Sequence, residues 1–415
     1  MINKYICNNG VRIVHERMPH VRSLALGIWV EAGSSDEHPQ EAGIAHFIEH
    51  MLFKGTAARS ARTIAEEFDR LGGDINAFTS KEVTCIYTTV LGHHAPLALK
   101  ILADMFFNSL FDDNEMSKEK SVILDEIASV EDTPDDDVDE RLWQVMYPSH
   151  PIGKPVLGNE QTIETFDKEM IAAFMERLYT PDRLVISIAG DYDDSLIGLI
   201  EELFGTFKSE NIQRQLADSK HPEFQSGVTM KTKDIEQAHI CIGFPALTVK
   251  DARVHNLILL DSILGGAMSS RLFQEVREER GLAYSIYSYY SSYRTAGSFI
   301  IYGGSAPENA PELIDTIDRV IDSILESGIT KSELHNAKEQ LKGGFLLGLE
   351  SSESRMHRNG KNELMLNEHK TIDGVVALID AVDAMGIHEL AKEILSGQRA
   401  ISIIAPEKAI NQMDF

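Results

Sequence analysis

A faint internal duplication, its shift drifting from roughly 211 to 216 residues, limits this chain to folds that can be built twice. Residues 71–102 run strand, strand, then helix, and residues 283–320 repeat that rhythm, with a glycine after the second strand in both. Near the end of each half stands a compact apolar strand, after Arg183 in the first and after Arg399 in the second. A polar stretch over 209–226 separates the halves, so a first domain is expected over 1–212, a linker over 213–226 and a second domain over 227–415. At 415 residues the chain is long for a single core, which agrees with that division. Strand-like alternation falls at 10–15, 24–30, 83–90 and 184–188, and helical periodicity at 40–53, 63–71, 96–108 and 117–130. Strands and helices alternate in pairs without regular βαβ units. The expected class is α+β: two structurally similar domains, each a mainly antiparallel sheet with helices packed on one face.

Charge narrows the partners. With 39 basic and 65 acidic residues the formal net charge is −26, which argues against nucleic acid, whose phosphates need clustered Lys and Arg. Such a surface suits solubility and would attract basic peptides. Three cysteines, Cys7, Cys85 and Cys241, form no CxxC pair and read as reduced, buried thiols. The N-terminal residues lack the apolar core of a secretion signal, and no run of 18 apolar residues occurs, so a cytoplasmic protein without a membrane partner is expected.

Chemistry concentrates in Glu41-AGIAHFIEHMLFKG-Thr56. Pro39 suits a first helical turn and Gly55 a helix end. His46 and His50 are four apart, so on a helix both imidazoles leave one face, spaced to grip one tetrahedral Zn²⁺ at about 2.0–2.1 Å. Glu49 flanks that pair without ligating, where a base must sit to take a proton from an attacking water. An accidental HxxEH arises in roughly one chain in twenty-five of this length, and the bland alternative is a core helix with two satisfied histidines. His15, Glu16 and His20 also form a histidine–acid cluster, but the spacing is wrong and Pro19 interrupts any helix. His93 and His94 read as turn residues at the surface.

A catalytic zinc site needs a third protein ligand. The candidates lie in 117–132: Glu126 sits in an apolar stretch, Glu119 is seven residues earlier on the same face, and Asp125 and Glu131 are rivals by composition. Taken together, HxxEH followed 76 residues after His50 by a glutamate in an ExxxxxxE helix resembles the pitrilysin/insulinase family of inverted-motif zinc peptidases. Within it, the chain looks most like the smaller members related to the mitochondrial processing peptidase β subunit. The resemblance covers essentially the whole chain. It implies Glu126 as third ligand, Glu119 as a carboxylate supporting the site, and one Zn²⁺ per chain.

Two further stretches extend the resemblance. Asn76, Ala77 and Phe78 match the family's substrate-binding edge strand beside the zinc, implying that peptide substrate adds as an extra strand. Arg277 and Tyr284 match an Arg/Tyr pair that holds the substrate backbone and the developing oxyanion. Read without the family they are a charged helix end leading into a strand. A single chain corresponds to half of the clam-shell of longer members, implying a homodimer with Arg277 and Tyr284 supplied across the interface. In the second half Ile258, Asp261 and Ser262 stand opposite His46, Glu49 and His50, so no second metal is expected. The Gly265–Gly266 pair resembles a shortened glycine-rich loop of the non-catalytic processing subunit. The expected function is a zinc-dependent endopeptidase acting on unfolded peptides or extended segments in a dimeric chamber. The alternatives are a non-catalytic core or assembly subunit of the same family, or a peptidase needing a different partner chain.

Overall fold

The computed structural model describes residues 2–208 and 222–413; positions 213–221 of the expected linker lie outside the described residues. The chain forms two compact units, each drawing on both halves of the sequence. The first comprises the described residues of Met1–Ala128, Lys154–Ser219 and Leu347–Thr371; the second, those of Ser129–Gly153, Lys220–Leu346 and Ile372–Phe415.

In the first unit β1 (Ile2–Ile6), β2 (Arg12–Arg17), β3 (Ser23–Val30), β4 (Asp74–Thr79), β5 (Thr84–Leu91) and β6 (Leu184–Gly190) form one sheet in the order β1-β2-β6-β3-β5-β4. Only β2 and β6 run parallel; the other pairs are antiparallel. Alternation along β3 explains the two faces. Leu24, Leu26 and Ile28 enter a core shared with helices Ile44–Leu52, Ala95–Asn108, Lys168–Leu178 and Ser195–Phe204. Gly27 and Trp29 point the other way, against Met356 and Gly360 of helix Ser352–Met365, whose Met356 carbonyl accepts the Ser187 hydroxyl at 2.7 Å.

The second unit repeats the plan. Strands β7 (Gly227–Thr232), β8 (Ala238–Pro245), β9 (Ala283–Ser292), β10 (Gly297–Ser305) and β11 (Ala400–Ala405) take the order β7-β11-β8-β10-β9. Again one pair is parallel, β7 with β11. The two late strands matched in sequence, β6 and β11, therefore hold the same place in their sheets. One face packs on helices Val254–Leu264, Ala310–Ser327 and Ala384–Leu395. The reverse face, with Cys241, Ile300 and Ile404, is covered by Val138, Leu142, Trp143 and Met146 of helix Pro134–Met146. The α+β class stands, with the expected helix layer on one face and one further helix across the other. Each reverse-face helix comes from the opposite half of the sequence, an arrangement that local periodicity does not encode.

Candidate metal centre

The motif helix is shorter than its periodicity suggests, Ile44–Leu52 instead of 40–53. Pro39 opens a separate 3-10 turn, Pro39–Glu41, and Gly43 takes φ 94°, a left-handed turn that stops helix from propagating back. A Cβ at Gly43 would lie 2.6 Å from the Leu157 carbonyl, so no other residue fits. Nine residues are too few for an isolated helix, and here seven of the nine are buried. Each large apolar side chain among them contributes about 1.5–3 kcal/mol by burial. The helix start is held from outside: Glu37, 5% exposed, accepts the amides of Gly43 and Ala45 at 2.8 and 3.0 Å. Burial pushes this carboxyl up to about 8 against the pull of the two amides.

His46 and His50 project together, their rings 4.4 Å apart. From helix Asp113–Asp132, Glu126 brings Oε2 to 3.8 Å from His46 Nε2 and 3.7 Å from His50 Nε2. These three form the only candidate metal-binding group among the described residues, with donor atoms all within 4.8 Å of one another. Tetrahedral bonds of about 2.0–2.1 Å set ligand atoms about 3.3–3.4 Å apart, within half an ångström of the two histidine-to-Glu126 distances. Two imidazoles and a carboxylate are the donors zinc favours, so the residues present fit that ion. The protonation of His46 also fits: burial, then the neighbouring His50, hold it down to about 3, leaving a neutral ring. The rivals Asp125 and Glu131 are exposed and outside the group.

The two histidines are held unequally. Glu119, 4% exposed, lies with Oε1 2.8 Å from His50 Nδ1 and Oε2 2.6 Å from Lys54 Nζ. A carboxylate can only accept, so Nδ1 carries the proton and Nε2 presents its lone pair towards Glu126. His46 Nδ1 is buried with no hydrogen-bond partner among the described residues. Glu49 accepts a hydrogen bond at Oε2 from the Thr79 hydroxyl at 2.5 Å. Burial pushes its carboxyl up, Thr79 and His50 draw it down, and the like charge of Glu126 raises it again.

Among the described residues strand β4 is one of the two edges of its sheet, β1 being the other. Its alternation divides the expected substrate-binding residues between two faces. Ala77 packs on the core beneath the motif helix. Phe78 sits on the reverse face with Trp29, Tyr87 and His357, at ring distances of 5.6, 6.2 and 5.8 Å. Asn76 shares that face and is exposed, its Oδ1 2.8 Å from the Ala77 amide. In the second unit the Arg277 guanidinium lies 4.8 Å from the centre of the Phe273 ring and 4.5 Å from that of Tyr284. Arg277 belongs to a π-helical segment, Phe273–Glu279, and Tyr284 is 75% exposed. At the duplicated position, helix Val254–Leu264 carries Ile258, Asp261 and Ser262; Asp261 accepts the Ser288 hydroxyl at 2.6 Å. Gly265 lets the chain pass close to β9, since a Cβ there would lie 2.4 Å from the Ser288 amide.

Sequence reasoning passed over Glu37, Lys54 and Thr79. For Thr79 a signal existed: two residues beyond Ala77 on one strand, it faces the motif helix if Ala77 does. Glu37 and Lys54 gave none, because their partners are set by folding.

The fold and this cluster define a class: a duplicated α+β protein with an inverted HxxEH metal centre in one of its two units. Residues 12–160 match the model described as Insulinase (Peptidase family M16), and residues 165–341 match that of the Peptidase M16 inactive domain. A protein called an uncharacterized zinc protease, YmxG, of Bacillus subtilis (strain 168) is 48% identical over 98% of this chain and 98% of its own. An uncharacterized zinc protease of Streptomyces coelicolor is 38% identical over 96% of this chain and 88% of its own. The chain therefore belongs to peptidase family M16, the insulinase family. A crystal structure of a protease from Helicobacter pylori shares the fold, with a TM-score of 0.90 at 20% identity over 98% of this chain and 99% of its own.

Proposed function

We propose that the protein is a zinc-dependent endopeptidase acting on unfolded peptides or extended segments. The observation that carries this reading is the convergence of His46, His50 and Glu126 beside the buried carboxyl of Glu49. The relatives' description as zinc proteases supports it. Zinc, when bound by these three residues, supplies a Lewis acid for the scissile carbonyl and lowers the pKa of water. Glu49 takes the proton from the attacking water and passes it to the leaving amine. Glu119 keeps His50 in the tautomer that leaves Nε2 free.

The edge strand β4 receives the peptide as an added strand, with main-chain bonds giving affinity largely independent of sequence. The net charge of −26 favours basic peptides. A homodimer supplies Arg277 and Tyr284 to each centre across the interface, Arg277 oriented in advance by its stacking on two rings. The first half of the sequence is the catalytic portion, and the second contributes these two residues without a metal of its own. Free, buried Cys7, Cys85 and Cys241 support a cytoplasmic setting, and among the described residues no helix is long and apolar enough to cross a membrane.

The test is mass spectrometry of a mixed peptide pool incubated with purified protein, alongside Glu49→Gln and a zinc assay of both. Internal cuts by wild type alone, with zinc retained in the variant, are expected. Cleavage by the variant at the wild-type rate would remove Glu49 from the chemistry.

A further inference from the structure

The oxygen of Glu49 that faces β4 is already committed. Thr79 ends that strand, opposite Thr84 of β5. Strand alternation puts its side chain on the face of Ala77, towards the motif helix, where its hydroxyl lies 2.5 Å from Glu49 Oε2. The direction of this bond follows from its neighbours. Thr84 stands 3.5 Å from the same hydroxyl but gives its own proton to the Ala32 carbonyl at 2.9 Å. The single proton of Thr79 is therefore left for Glu49. Thr84 is 1% exposed and held between the two, which fixes the Thr79 side chain from behind.

From this geometry we propose that Thr79 is the positioning residue of the base: its hydroxyl anchors Oε2 of Glu49 and leaves the other carboxylate oxygen to take the proton from water. The inference rests on the reading of Glu49 as base and deepens it. A carboxylate on a helix has several open rotamers, and a fixed donor on a strand removes them. The donor's strand is also the sheet edge proposed to accept the peptide. Base and substrate would then be referred to one rigid frame, so that the registered peptide bond meets a carboxylate already at the right distance.

The test is steady-state cleavage of one identified peptide by wild type, Thr79→Val, Thr79→Ser, Thr79→Ala and Glu49→Gln, with zinc content and melting temperature measured for each. Val keeps the shape without the donor, Ser keeps the donor without the methyl, and Ala serves if Val misfolds. Expected is a fall in kcat of about 10- to 100-fold for Val or Ala at nearly constant KM and full zinc content. Ser should recover to within about threefold of wild type. Unchanged kcat in Thr79→Val or Thr79→Ala beside an inactive Glu49→Gln overturns the role of Thr79 and leaves the base intact. A loss carried by KM also overturns it, since Thr79 would then serve peptide binding. An active Glu49→Gln overturns both readings.

Discussion

Glu119→Gln is the substitution on which the reading of the metal centre turns. Glutamine matches the shape of glutamate but offers one acceptor instead of two, and adds two donors. In the wild type both oxygens are used, one on His50 Nδ1 at 2.8 Å and one on Lys54 Nζ at 2.6 Å, at a side chain 5% exposed. An amide cannot serve both. With its oxygen on His50, its NH2 faces the Lys54 ammonium. With its oxygen on Lys54, its NH2 faces Nδ1 and selects the tautomer that protonates Nε2, the atom needed for the metal. Partial occupancy of the wrong tautomer and loss of the carboxylate's push on the imidazole should weaken zinc binding about 10- to 100-fold. That corresponds to about 1.4–2.7 kcal/mol. Lys54 is 29% exposed and can turn to water, so the fold should survive. Competition with a chelating indicator measures the affinity directly, without any substrate. A dissociation constant within twofold of wild type would refute the argument that Glu119 sets the His50 tautomer.

Two other perturbations test the frame. Gly43→Ala places a Cβ 2.6 Å from the Leu157 carbonyl at φ 94°, so the motif helix must shift; a loss of about 2 kcal/mol or more in unfolding experiments, together with weakened zinc binding, is expected. Asp261, pushed up from 3.8 to about 6 by burial against the pull of Ser288, holds its proton in the folded chain at pH values where the unfolded chain releases it. Its contribution is therefore complete below about 3.8 and lost as pH rises through about 6. Asp261→Asn keeps an acceptor for Ser288 and cannot ionise, so its melting temperature relative to wild type should rise between pH 4 and 7, by the equivalent of up to about 3 kcal/mol.

How much of this was legible in the sequence depends on the range of each interaction. His46, Glu49 and His50 lie within one helical turn and a half, and their shared face follows from spacing alone. Glu126 could not be separated from Asp125 by periodicity, and only the family resemblance singled it out. In the structure its carboxylate lies beside His46 and His50, while Asp125 is exposed and outside that group. The start of the motif helix was misplaced because amphipathic periodicity continues through 40–43, whereas Gly43 is forced into a left-handed turn by the backbone at 157–158. Strand β1 gave no signal because four of its five residues are exposed, and it exists only by pairing with β2. The helices on the reverse sheet faces, Pro134–Met146 and Ser352–Met365, were not among the helices read from periodicity, and which sheet each covers belongs to the complete fold.

Among the described residues the metal-binding group lies in the first unit, and the duplication shows what stands at the matching positions of the second. At the position of Glu49 the second unit keeps a shorter carboxylate, Asp261, and at that of His50 it has Ser262, whose hydroxyl donates to Gln340 Oε1 at 3.1 Å. Asp261 is tied to Ser288 of β9, the strand that corresponds to β4 in its sheet order. Thr79 and Ser288 thus make the same kind of contact, a strand hydroxyl donating to an acid on the adjoining helix. The acid-to-strand clamp occurs in both units, while among the described residues a metal-binding group occurs in one. A clamp that persists in the unit with no metal-binding group among its described residues serves the packing of helix on sheet, so the role proposed for Thr79 draws on a tie that the fold already makes. The Thr79 series separates the two contributions: the packing part is read as a lower melting temperature of Thr79→Val, the positioning part as its lower kcat, and a packing tie alone would spare kcat.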